Sequence, residues 1–350
     1  MKALMYRGAG DIRYETIPDP ELPDARGAIV KTHMCSICGS DLHPYHVDSR
    51  VKDYCIGHEA IGEVVEIGSE VRKFKVGDRV LIPASLGCGE CPECLAGNVI
   101  LCRTFKTMKS YGSGLPGVGG CQAEAVAITA ADTNLFQLPD GVSDEVGIML
   151  SDNLATAWYC ARRARISQGD TVAVIGLGAV GLQCVMSALA MGASQVFAID
   201  LLADRRAAAA ALGAHPIEDE NVVAAVRELT GGRGVDAALD ASGGPVTTPM
   251  AVNLAARGGR VSIVGVSEQP TVPFPILACL SKNVEVYTGV CSVQAELPQL
   301  LEALETARLH ADRVGELITH HMKLSEGSLA YELFDQRPAG LQKIVLDPSA

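Results

Sequence analysis

The sequence is poor in aromatic residues and in positive charge, and it contains no long hydrophobic run. Aromatic residues make up 4% of the 350 residues, and 29 Lys and Arg are outnumbered by 41 Asp and Glu. A net charge of -12 repels phosphate backbones and anionic lipid, so we expect no nucleic acid and no membrane as partner. No apolar run approaches the roughly 20 residues that span a bilayer, and the start lacks a signal-peptide pattern. We therefore expect a cytoplasmic protein.

The composition that remains is typical of a folded α/β protein. Hydrophobic residues make up 48% of the chain and charged residues 20%, with 36 Gly and 17 Pro. A length of 350 residues exceeds the usual size of one core, so we expect two domains, with one larger domain as the alternative. The 12 Cys residues, in a chain without an export pattern, are expected to be metal ligands or buried thiols.

The pattern of apolar residues changes near residue 156. Before it, short alternations such as Ala60–Ile67, each followed by turn residues, predict a mainly β domain. After it, strand-like runs alternate with Ala-rich stretches, which is typical of a parallel sheet with crossover helices. The predicted strands of this part cover residues 171–175, 195–199, 235–239, 260–264 and 283–288. In the tail, we expect a helix near 297–309 and a last strand at 343–346 that completes the first domain.

A glycine motif follows the first strand of the parallel sheet. Gly176, Gly178 and Gly181 form G-x-G-x-x-G between the strand and a helix. In this context the first Gly makes the tight turn, the second admits a pyrophosphate and the third packs helix against strand. A second strand ends in Asp200, nineteen residues beyond Gly181, where an acid binds the ribose hydroxyls. The sequence therefore predicts a dinucleotide site.

Asp200 favours NAD over NADP, because its charge repels a 2′-phosphate. Arg205 and Arg206 follow on the next predicted helix and leave two alternatives open. They bind a phosphate if the loop brings them near it, or they lie at a solvated helix start, with Arg205 touching the adenosine ribose.

Four cysteines lie within fifteen residues of one another: Cys88, Cys91, Cys94 and Cys102. The spacing C-x2-C-x2-C-x7-C allows four thiolates to surround one zinc ion with no open position, which is typical of a structural site. An iron–sulfur cluster also takes four thiolates and is the alternative.

Two further elements, Cys38-Gly39-Ser40-Asp41-Leu42-His43 and Gly57-His58-Glu59, precede the cysteine lobe. With the lobe and the glycine loop they occur in an order and at spacings that resemble the zinc-containing alcohol dehydrogenases of the medium-chain dehydrogenase/reductase family. The resemblance extends over essentially the whole chain. It implies a mainly β GroES-like catalytic domain at 1–154 and 292–350, with the structural-zinc lobe at 86–103. It also implies a doubly wound Rossmann domain for NAD at 155–291.

The resemblance implies a second, catalytic zinc. Its ligands fall on Cys38 and His58, with Glu59 as a conditional ligand. The third fixed ligand falls on Asp152, as in the secondary-alcohol branch of the family, where other members have a Cys; the alternative for Asp152 is a helix cap. Three ligands leave a fourth position open for the substrate, as a catalytic zinc requires.

The same resemblance assigns residues to proton transfer. An alcohol bound at zinc loses its hydroxyl proton to Ser40, and His43 passes the proton to solvent while hydride moves to the nicotinamide. Asp41 is expected to hydrogen-bond His58 and fix its tautomer. As alternatives, Ser40 is a turn residue and His43 a surface residue.

Three further positions match family residues at the cofactor. Thr156 and Val180 correspond to residues that press the nicotinamide toward zinc, and Lys343 to one that meets the pyrophosphate. Trp158 either lines the pocket or belongs to the core.

The expected function is therefore reversible transfer of hydride between an alcohol, secondary in type, and NAD, with two zinc ions per chain. One alternative is a related zinc dehydrogenase that acts on a polyol, an amino-alcohol or formaldehyde. Another is a dinucleotide-binding protein that has lost the chemistry. Relatives are tetramers or dimers, so we expect a homo-oligomer, tetrameric or else dimeric.

Overall fold

The computed structural model describes residues 1–48, 51–105 and 110–349. The chain divides into two compact units. The first comprises Met1–Asp152, Cys291–Pro298 and Val314–Ala350, and the second comprises Asn153–Val290 and Gln299–Arg313. Among the helices of the described residues, none combines the length and the apolar character needed to cross a bilayer.

The first unit is built on two sheets. One has three strands in the order β2-β1-β4, and the other has seven, in the order β15-β16-β3-β5-β6-β8, with β7 paired to β3. Most pairs are antiparallel; β15 and β16 are parallel. The strands are β1 (Lys2–Gly8), β2 (Asp11–Thr16), β3 (Ala28–Ser36), β4 (Tyr54–Cys55), β5 (Ala60–Ile67), β6 (Arg79–Ile82), β7 (Ala125–Ile128), β8 (Phe136–Gln137), β15 (Ile318–Lys323) and β16 (Lys343–Asp347).

Helices in the first unit are short. They are α1 (Leu42–His46), α2 (Pro92–Leu95), α3 (Ala131–Asn134), α4 (Asp144–Leu150) and α13 (Gly327–Gln336). Helix α4 begins where the Ser143 side chain accepts a hydrogen bond from the Val146 amide, an arrangement that satisfies one of the unpaired amides of the first turn. Its last four residues are fully buried or nearly so, and the chain then reaches Asp152.

The second unit contains a six-stranded parallel sheet. Its order, β11-β10-β9-β12-β13-β14, is that of a doubly wound dinucleotide-binding sheet, with the reversal of strand order between β9 and β12. The strands are β9 (Thr171–Ile175), β10 (Gln195–Ile199), β11 (His215–Pro216), β12 (Val235–Asp240), β13 (Ala255–Ile263) and β14 (Glu285–Thr288). The strands β9 and β10 have the predicted bounds, and the prediction of a parallel sheet is confirmed.

Helices alternate with these strands because the apolar pattern changes period between them. They are α5 (Asn153–Arg163), α6 (Ala179–Ala190), α7 (Ala203–Ala211), α8 (Val222–Leu229), α9 (Thr247–Leu254) and α10 (Ile276–Lys282). Two more, α11 (Val293–Glu305) and α12 (Ala311–Gly315), include residues of both units.

The tail departs from the sequence prediction in two respects. Residues 299–313 belong to the second unit, whereas the sequence assigned all of 292–350 to the first. The reason is that this segment packs with the second unit: Gln299 accepts a hydrogen bond from the Trp158 indole, at 3.4 Å. Helix α11 also begins at Val293, four residues before the predicted start, because the Ser85 hydroxyl accepts the Val293 amide at 3.0 Å.

Candidate metal centres and cofactor site

The four predicted lobe cysteines meet at one point. Cys94 lies on α2, and the others lie on the turns before and after it. Their sulfur atoms all lie within 4.8 Å of one another, and Cys91 Sγ is 3.9 Å from Cys102 Sγ. Two sulfur atoms bonded to one zinc ion at about 2.3 Å are separated by about 3.8 Å in a tetrahedron. An iron–sulfur cluster spreads its thiolates over several irons and separates them further. The lobe geometry therefore fits a single ion.

Hydrogen bonds to the sulfur atoms of Cys88 and Cys102 favour the thiolate form that binds metal. The amide of Cys91 donates to Cys88 Sγ at 3.4 Å, and the amide of Cys88 donates to Cys102 Sγ at 3.3 Å. Although burial opposes them, the hydrogen bonds to Cys88 from Thr104 and from backbone amides lower the pKa of its thiol to about 6. Burial raises the pKa of Cys94 to about 12. A bound cation favours the thiolate at each of them.

A second set of metal-binding groups joins Cys38, His58, Glu59 and Asp152. Cys38 follows β3, His58 and Glu59 precede β5, and Asp152 follows α4. One donor atom from each lies within 4.8 Å of the others. Cys38 Sγ is 3.5 Å and His58 Nε2 is 3.7 Å from Asp152 Oδ2. Sulfur and oxygen bonded to the same tetrahedral zinc are separated by about 3.5 Å, so the donors fit a zinc ion.

The buried acidic groups of this site also favour a bound cation. The side chains of His58 and Asp152 are 11% and 16% exposed, and Glu59 is fully buried. Burial raises the pKa of the Cys38 thiol, and the charges of Glu59 and Asp152 raise it further. A divalent ion reverses this effect, because it stabilises the thiolate more than the neighbouring carboxylates destabilise it.

His58 is oriented by Asp41. The His58 Nδ1 lies 3.1 Å from Asp41 Oδ1, so Nδ1 carries the hydrogen and Nε2 presents its lone pair toward Asp152 and Cys38. The same carboxylate accepts the Cys38 amide at 2.9 Å. Asp41 therefore holds two of the predicted ligand residues.

Ser40 lies beside the donor atoms. Its Oγ is 3.3 Å from Cys38 Sγ and 3.4 Å from His58 Nε2. It belongs to a short 3-10 helix, Gly39–Asp41, and His43 follows on α1, where it is half-buried.

Glu59 has a partner that the sequence did not indicate. Lys343 donates from Nζ to Glu59 Oε2, and the Ser36 hydroxyl donates to the same oxygen. Burial lowers the pKa of Lys343, but the charge of Glu59 outweighs it and raises the pKa above its ordinary value. Lys343 is 1% exposed, and its ammonium pairs with Glu59. The assignment of Lys343 to the pyrophosphate of the cofactor stays a prediction.

Two more buried residues adjoin Asp41, and the sequence did not single them out. Gln122 donates from Nε2 to Asp41 Oδ2 at 3.4 Å, and the Tyr331 hydroxyl donates to Gln122 Oε1 at 2.9 Å. No local pattern marks them, because Tyr331 is 209 residues from Gln122 and each looks like an ordinary residue of its segment.

In the second unit, the glycine loop has the geometry that the motif predicts. Gly176 has φ +82°, a conformation that other residues adopt at a cost. A Cβ at Gly181 would lie 1.7 Å from the Gly176 carbonyl oxygen, so only glycine allows helix α6 to pack this close to the turn. Gly178 stands at the N-terminus of α6, where backbone amides and the helix dipole favour a phosphate.

Asp200 lies next to this loop. Its carboxylate accepts the Leu177 amide at 2.7 Å and the Leu202 amide at 2.9 Å. Arg205 Nη1 is 3.8 Å from Asp200 Oδ2 and 3.8 Å from the position of a Cβ on Gly178. Arg206 turns away, since its Nη1 donates to the carbonyl oxygens of Asp200 and Leu201. Arg205 is therefore the arginine that faces the glycine loop.

The other predicted cofactor residues lie on neighbouring helices. Thr156 is on α5 and Val180 on α6, and both are half-buried. Trp158 is 3% exposed, and its indole donates to Gln299 within the second unit, which favours the core alternative for this residue.

The chain is similar to zinc-type alcohol dehydrogenases in sequence and in fold. The family profiles "Alcohol dehydrogenase GroES-like domain" and "Zinc-binding dehydrogenase" match residues 24–140 and 179–306. A probable zinc-binding alcohol dehydrogenase of Mycobacterium tuberculosis is 38% identical over 100% of this chain and 89% of its own length. An alcohol dehydrogenase from Thermus sp. ATN1 superposes with a TM-score of 0.91 at 35% identity, over 99% of both chains. The 2R,3R-butanediol dehydrogenase of Bacillus subtilis superposes with a TM-score of 0.84 at 28% identity, over 99% of both chains. The predicted combination of a GroES-like and a Rossmann domain is confirmed.

Proposed function

Because the chain belongs to the zinc-dependent alcohol dehydrogenases of the medium-chain dehydrogenase/reductase family, we propose that it transfers a hydride reversibly between an alcohol and NAD. The product is the ketone or aldehyde. The observation that carries the proposal is the donor set of Cys38, His58 and Asp152 with the Ser40 hydroxyl beside it.

The three donors suit a catalytic rather than a structural zinc. Cys38, His58 and Asp152 would hold a zinc ion with one position left open, and the ion would supply the positive charge that lowers the pKa of an alcohol hydroxyl. Glu59 is held by Lys343 and Ser36, an arrangement that supports its assignment as a conditional ligand.

Ser40 and His43 provide the route for the proton. The hydroxyl proton of the substrate passes to Ser40 Oγ, which lies 3.3 Å and 3.4 Å from two of the donor atoms. His43, half-buried on the next helix, passes it on to water. The substrate carbon gives its hydride to NAD, so one alcohol and one NAD⁺ yield one carbonyl, one NADH and one proton.

NAD is the proposed cofactor because Asp200 carries a negative charge beside the glycine loop. That charge accepts hydrogen bonds from the ribose hydroxyls and repels a 2′-phosphate. The position of Arg205 Nη1, 3.8 Å from Asp200 Oδ2, supports a contact between Arg205 and the adenosine ribose, whereas Arg206 donates to carbonyl oxygens.

A secondary alcohol is the proposed substrate class. Support comes from Asp152 in the ligand set, which resembles the secondary-alcohol branch, and from the similarity to a butanediol dehydrogenase. A polyol is the second candidate, favoured by 28% identity to a sorbitol dehydrogenase of Bacillus subtilis.

We propose a second zinc in the cysteine lobe, with a structural role. Its four sulfur donors leave no position open for a substrate. Two zinc ions per chain follow from the two sites together.

We also propose that the chain forms a homo-oligomer, tetrameric or dimeric, through the second unit. Strand β14 is the terminal strand of the parallel sheet in the described residues, and a terminal strand can pair with a strand of another chain. The adjacent helix α10 exposes Leu277 and Leu280, with 76% and 66% of each residue accessible.

The experiment that tests the function measures zinc per chain and the reduction of NAD and NADP with primary alcohols, secondary alcohols and polyols. Wild type is compared with Asp152→Ala and with the control Asp170→Ala, whose side chain is also 16% exposed but pairs with Arg260. We expect two zinc ions and NAD-linked activity in wild type and control, and one zinc without activity in Asp152→Ala. A wild type that binds NAD but holds only one zinc would support the non-catalytic alternative. Full activity in Asp152→Ala would remove this residue from the site.

A further inference from the structure

The side chain of Gln122 makes three hydrogen bonds in the core of the first unit, and both of its polar atoms are used. Nε2 donates to the Ser36 carbonyl oxygen at 3.0 Å and to Asp41 Oδ2 at 3.4 Å. Oε1 accepts from the Tyr331 hydroxyl at 2.9 Å. Gln122 and Tyr331 are both 0% exposed, so water does not compete for these bonds.

This arrangement allows only one orientation of the amide. If the amide were rotated by half a turn, Oε1 would face two acceptors, the Ser36 carbonyl and the Asp41 carboxylate. An amide group has two hydrogens on nitrogen and none on oxygen, and both bonds would be lost in the interior, where unpaired polar groups are costly. The Tyr331 hydroxyl can donate or accept, and in the orientation set by the other two bonds it donates to Oε1.

The backbone and side chain of Gln122 are also fixed in position. Its carbonyl oxygen accepts the Leu4 amide at 2.8 Å, and its own amide donates to the Ile56 carbonyl at 3.1 Å. The side chain lies so close to Gly57 that a Cβ there would be 2.4 Å from Gln122 Cγ. Gly57 precedes His58, so Gln122 packs directly behind a predicted zinc ligand.

The carboxylate that Gln122 contacts connects two ligand residues. Asp41 Oδ2 accepts the Cys38 amide at 2.9 Å, and Asp41 Oδ1 lies 3.1 Å from His58 Nδ1. A rotation of this carboxylate therefore moves the hydrogen bond of Cys38 and that of His58 together. Gln122 donates to Oδ2, so it restricts that rotation.

We propose that Tyr331 and Gln122 form a hydrogen-bond relay that positions the Asp41 carboxylate and thereby sets how tightly Cys38, His58 and Asp152 hold zinc. Neither residue touches the donor atoms or the substrate, so both are positioning residues. The inference rests on the proposed function, because it requires a zinc ion at this site.

The test follows zinc release from the full chain, loaded with zinc, after addition of an excess of a chromogenic chelator. The cysteine lobe acts as a second site in the same molecule, and Asp152→Ala identifies which phase of release belongs to the Cys38 site. The variants are Gln122→Met, which keeps the shape without hydrogen bonds, and Tyr331→Phe. The control is Tyr6→Phe, which removes another buried hydroxyl of the same core, one that donates to the Val47 carbonyl.

We expect release from the Cys38 site to be about 10-fold faster in Gln122→Met, in line with other residues that orient metal ligands. Tyr331→Phe gives a smaller increase, and release from the lobe keeps its wild-type rate in both variants. Tyr6→Phe lowers the melting temperature about as much as Tyr331→Phe but leaves both release rates unchanged.

Three results would overturn the relay while leaving the proposed function intact. They are a wild-type release rate in Gln122→Met, an equal acceleration of both phases that follows the melting temperature, and an equal effect of Tyr6→Phe and Tyr331→Phe. If Gln122→Met does not fold, the zinc release rates of Tyr331→Phe and Tyr6→Phe are compared instead. The relay requires faster release from the Cys38 site in Tyr331→Phe alone. If wild type releases zinc from the cysteine lobe only, with no phase from the Cys38 site, both the proposed function and the relay are overturned.

Discussion

Lys343 and Glu59 form an ion pair in which both side chains are almost completely buried, with 1% and 0% of each accessible. The two residues are 284 positions apart in sequence. They meet because β16, which begins at Lys343, is paired with β3, and the Ser36 that ends β3 also donates to Glu59. A buried charge left without its partner costs far more than an exposed one.

Loss of Lys343 should therefore destabilise the first unit. We expect Lys343→Met to lower the free energy of unfolding by about 3–5 kcal/mol, because it leaves the Glu59 carboxylate buried without a counter-charge. Lys343→Met combined with Glu59→Gln should cost less than Lys343→Met alone. Urea unfolding of the protein stripped of zinc measures both, because a zinc ion beside Glu59 would replace the lost counter-charge. Lys75→Met provides the control, since it breaks an ion pair whose lysine side chain is 82% exposed, with an expected cost of at most about 1 kcal/mol. Equal costs for Lys75→Met and Lys343→Met would contradict the prediction.

The sequence predicts those features that depend on local patterns. The strands β9 and β10 have the predicted bounds, because each run is only five residues long and rich in β-branched or aromatic residues, which favours a strand over a helix. The four lobe cysteines converge as predicted because their ligand atoms lie within fifteen residues of chain, and a short segment has few ways to fold around one ion.

The features that the sequence does not predict depend on distant segments. Helix α11 begins early because Ser85 accepts the Val293 amide from 208 residues away. The partner of Glu59 also lies far along the chain. Lys343 stands at the start of the apolar strand β16. A lysine in such a position indicates a buried acidic partner, but the sequence does not show which acid it is.

Asp200 should determine the choice between NAD and NADP. Asp200→Asn removes the charge but keeps an oxygen for the Leu177 amide. We expect kcat/KM with NAD to fall by about 10- to 100-fold, the effect of losing a charge-assisted hydrogen bond, and the ratio of NADP to NAD use to rise. Initial rates with both cofactors measure this. Asp219→Asn is the control, because Asp219 accepts the Asn221 amide at an exposed turn. An unchanged cofactor ratio in Asp200→Asn would argue against a ribose contact.

The Asp236 carboxylate should give the second unit a pH-dependent stability. Its hydrogen bond with Arg233 is the main reason that its pKa lies well below the ordinary value, with bonds from Thr171 adding to the effect against the opposing influence of burial. A group with a lowered pKa in the folded state stabilises it above the unfolded pKa of about 3.9, and this contribution is lost as the pH falls. Asp236→Asn should therefore cost about 1–2 kcal/mol between pH 5.5 and 8. The difference from wild type should shrink below about pH 4.

Chemical unfolding of wild type and Asp236→Asn at pH 7, 5 and 3 measures the difference. Asp219→Asn is again the matched control, because it neutralises one carboxylate of the same unit that has no arginine in its hydrogen bonds. A stability difference for Asp236→Asn that stays constant down to pH 3 would show that the ionised carboxylate does not contribute.

The exposed leucines of α10 should hold the oligomer together. Leu277 and Leu280 are three residues apart and therefore lie on the same face of the helix. Both remain largely accessible in the single chain, at 76% and 66%. The next strand along the chain, β14, pairs with β13 and is the terminal strand of the parallel sheet in the described part of the chain. Leucines so exposed are typical of a surface that another chain covers, and a terminal strand can pair with another chain. Wild type should show a multiple of the 36.7 kDa chain mass in multi-angle light scattering.

Charges on that face should break the assembly, because association would then bury them without partners. We expect Leu277→Glu with Leu280→Glu to shift the mass to that of a single chain while the zinc content stays at the wild-type value. Val76→Glu is the control, at a position that is 57% exposed in the first unit, and it should leave the mass unchanged. A monomeric wild type would rule out the oligomer. If the double variant keeps the wild-type mass, the interface does not include this face of α10. Two glutamates buried at the centre of an interface are not compatible with a stable contact.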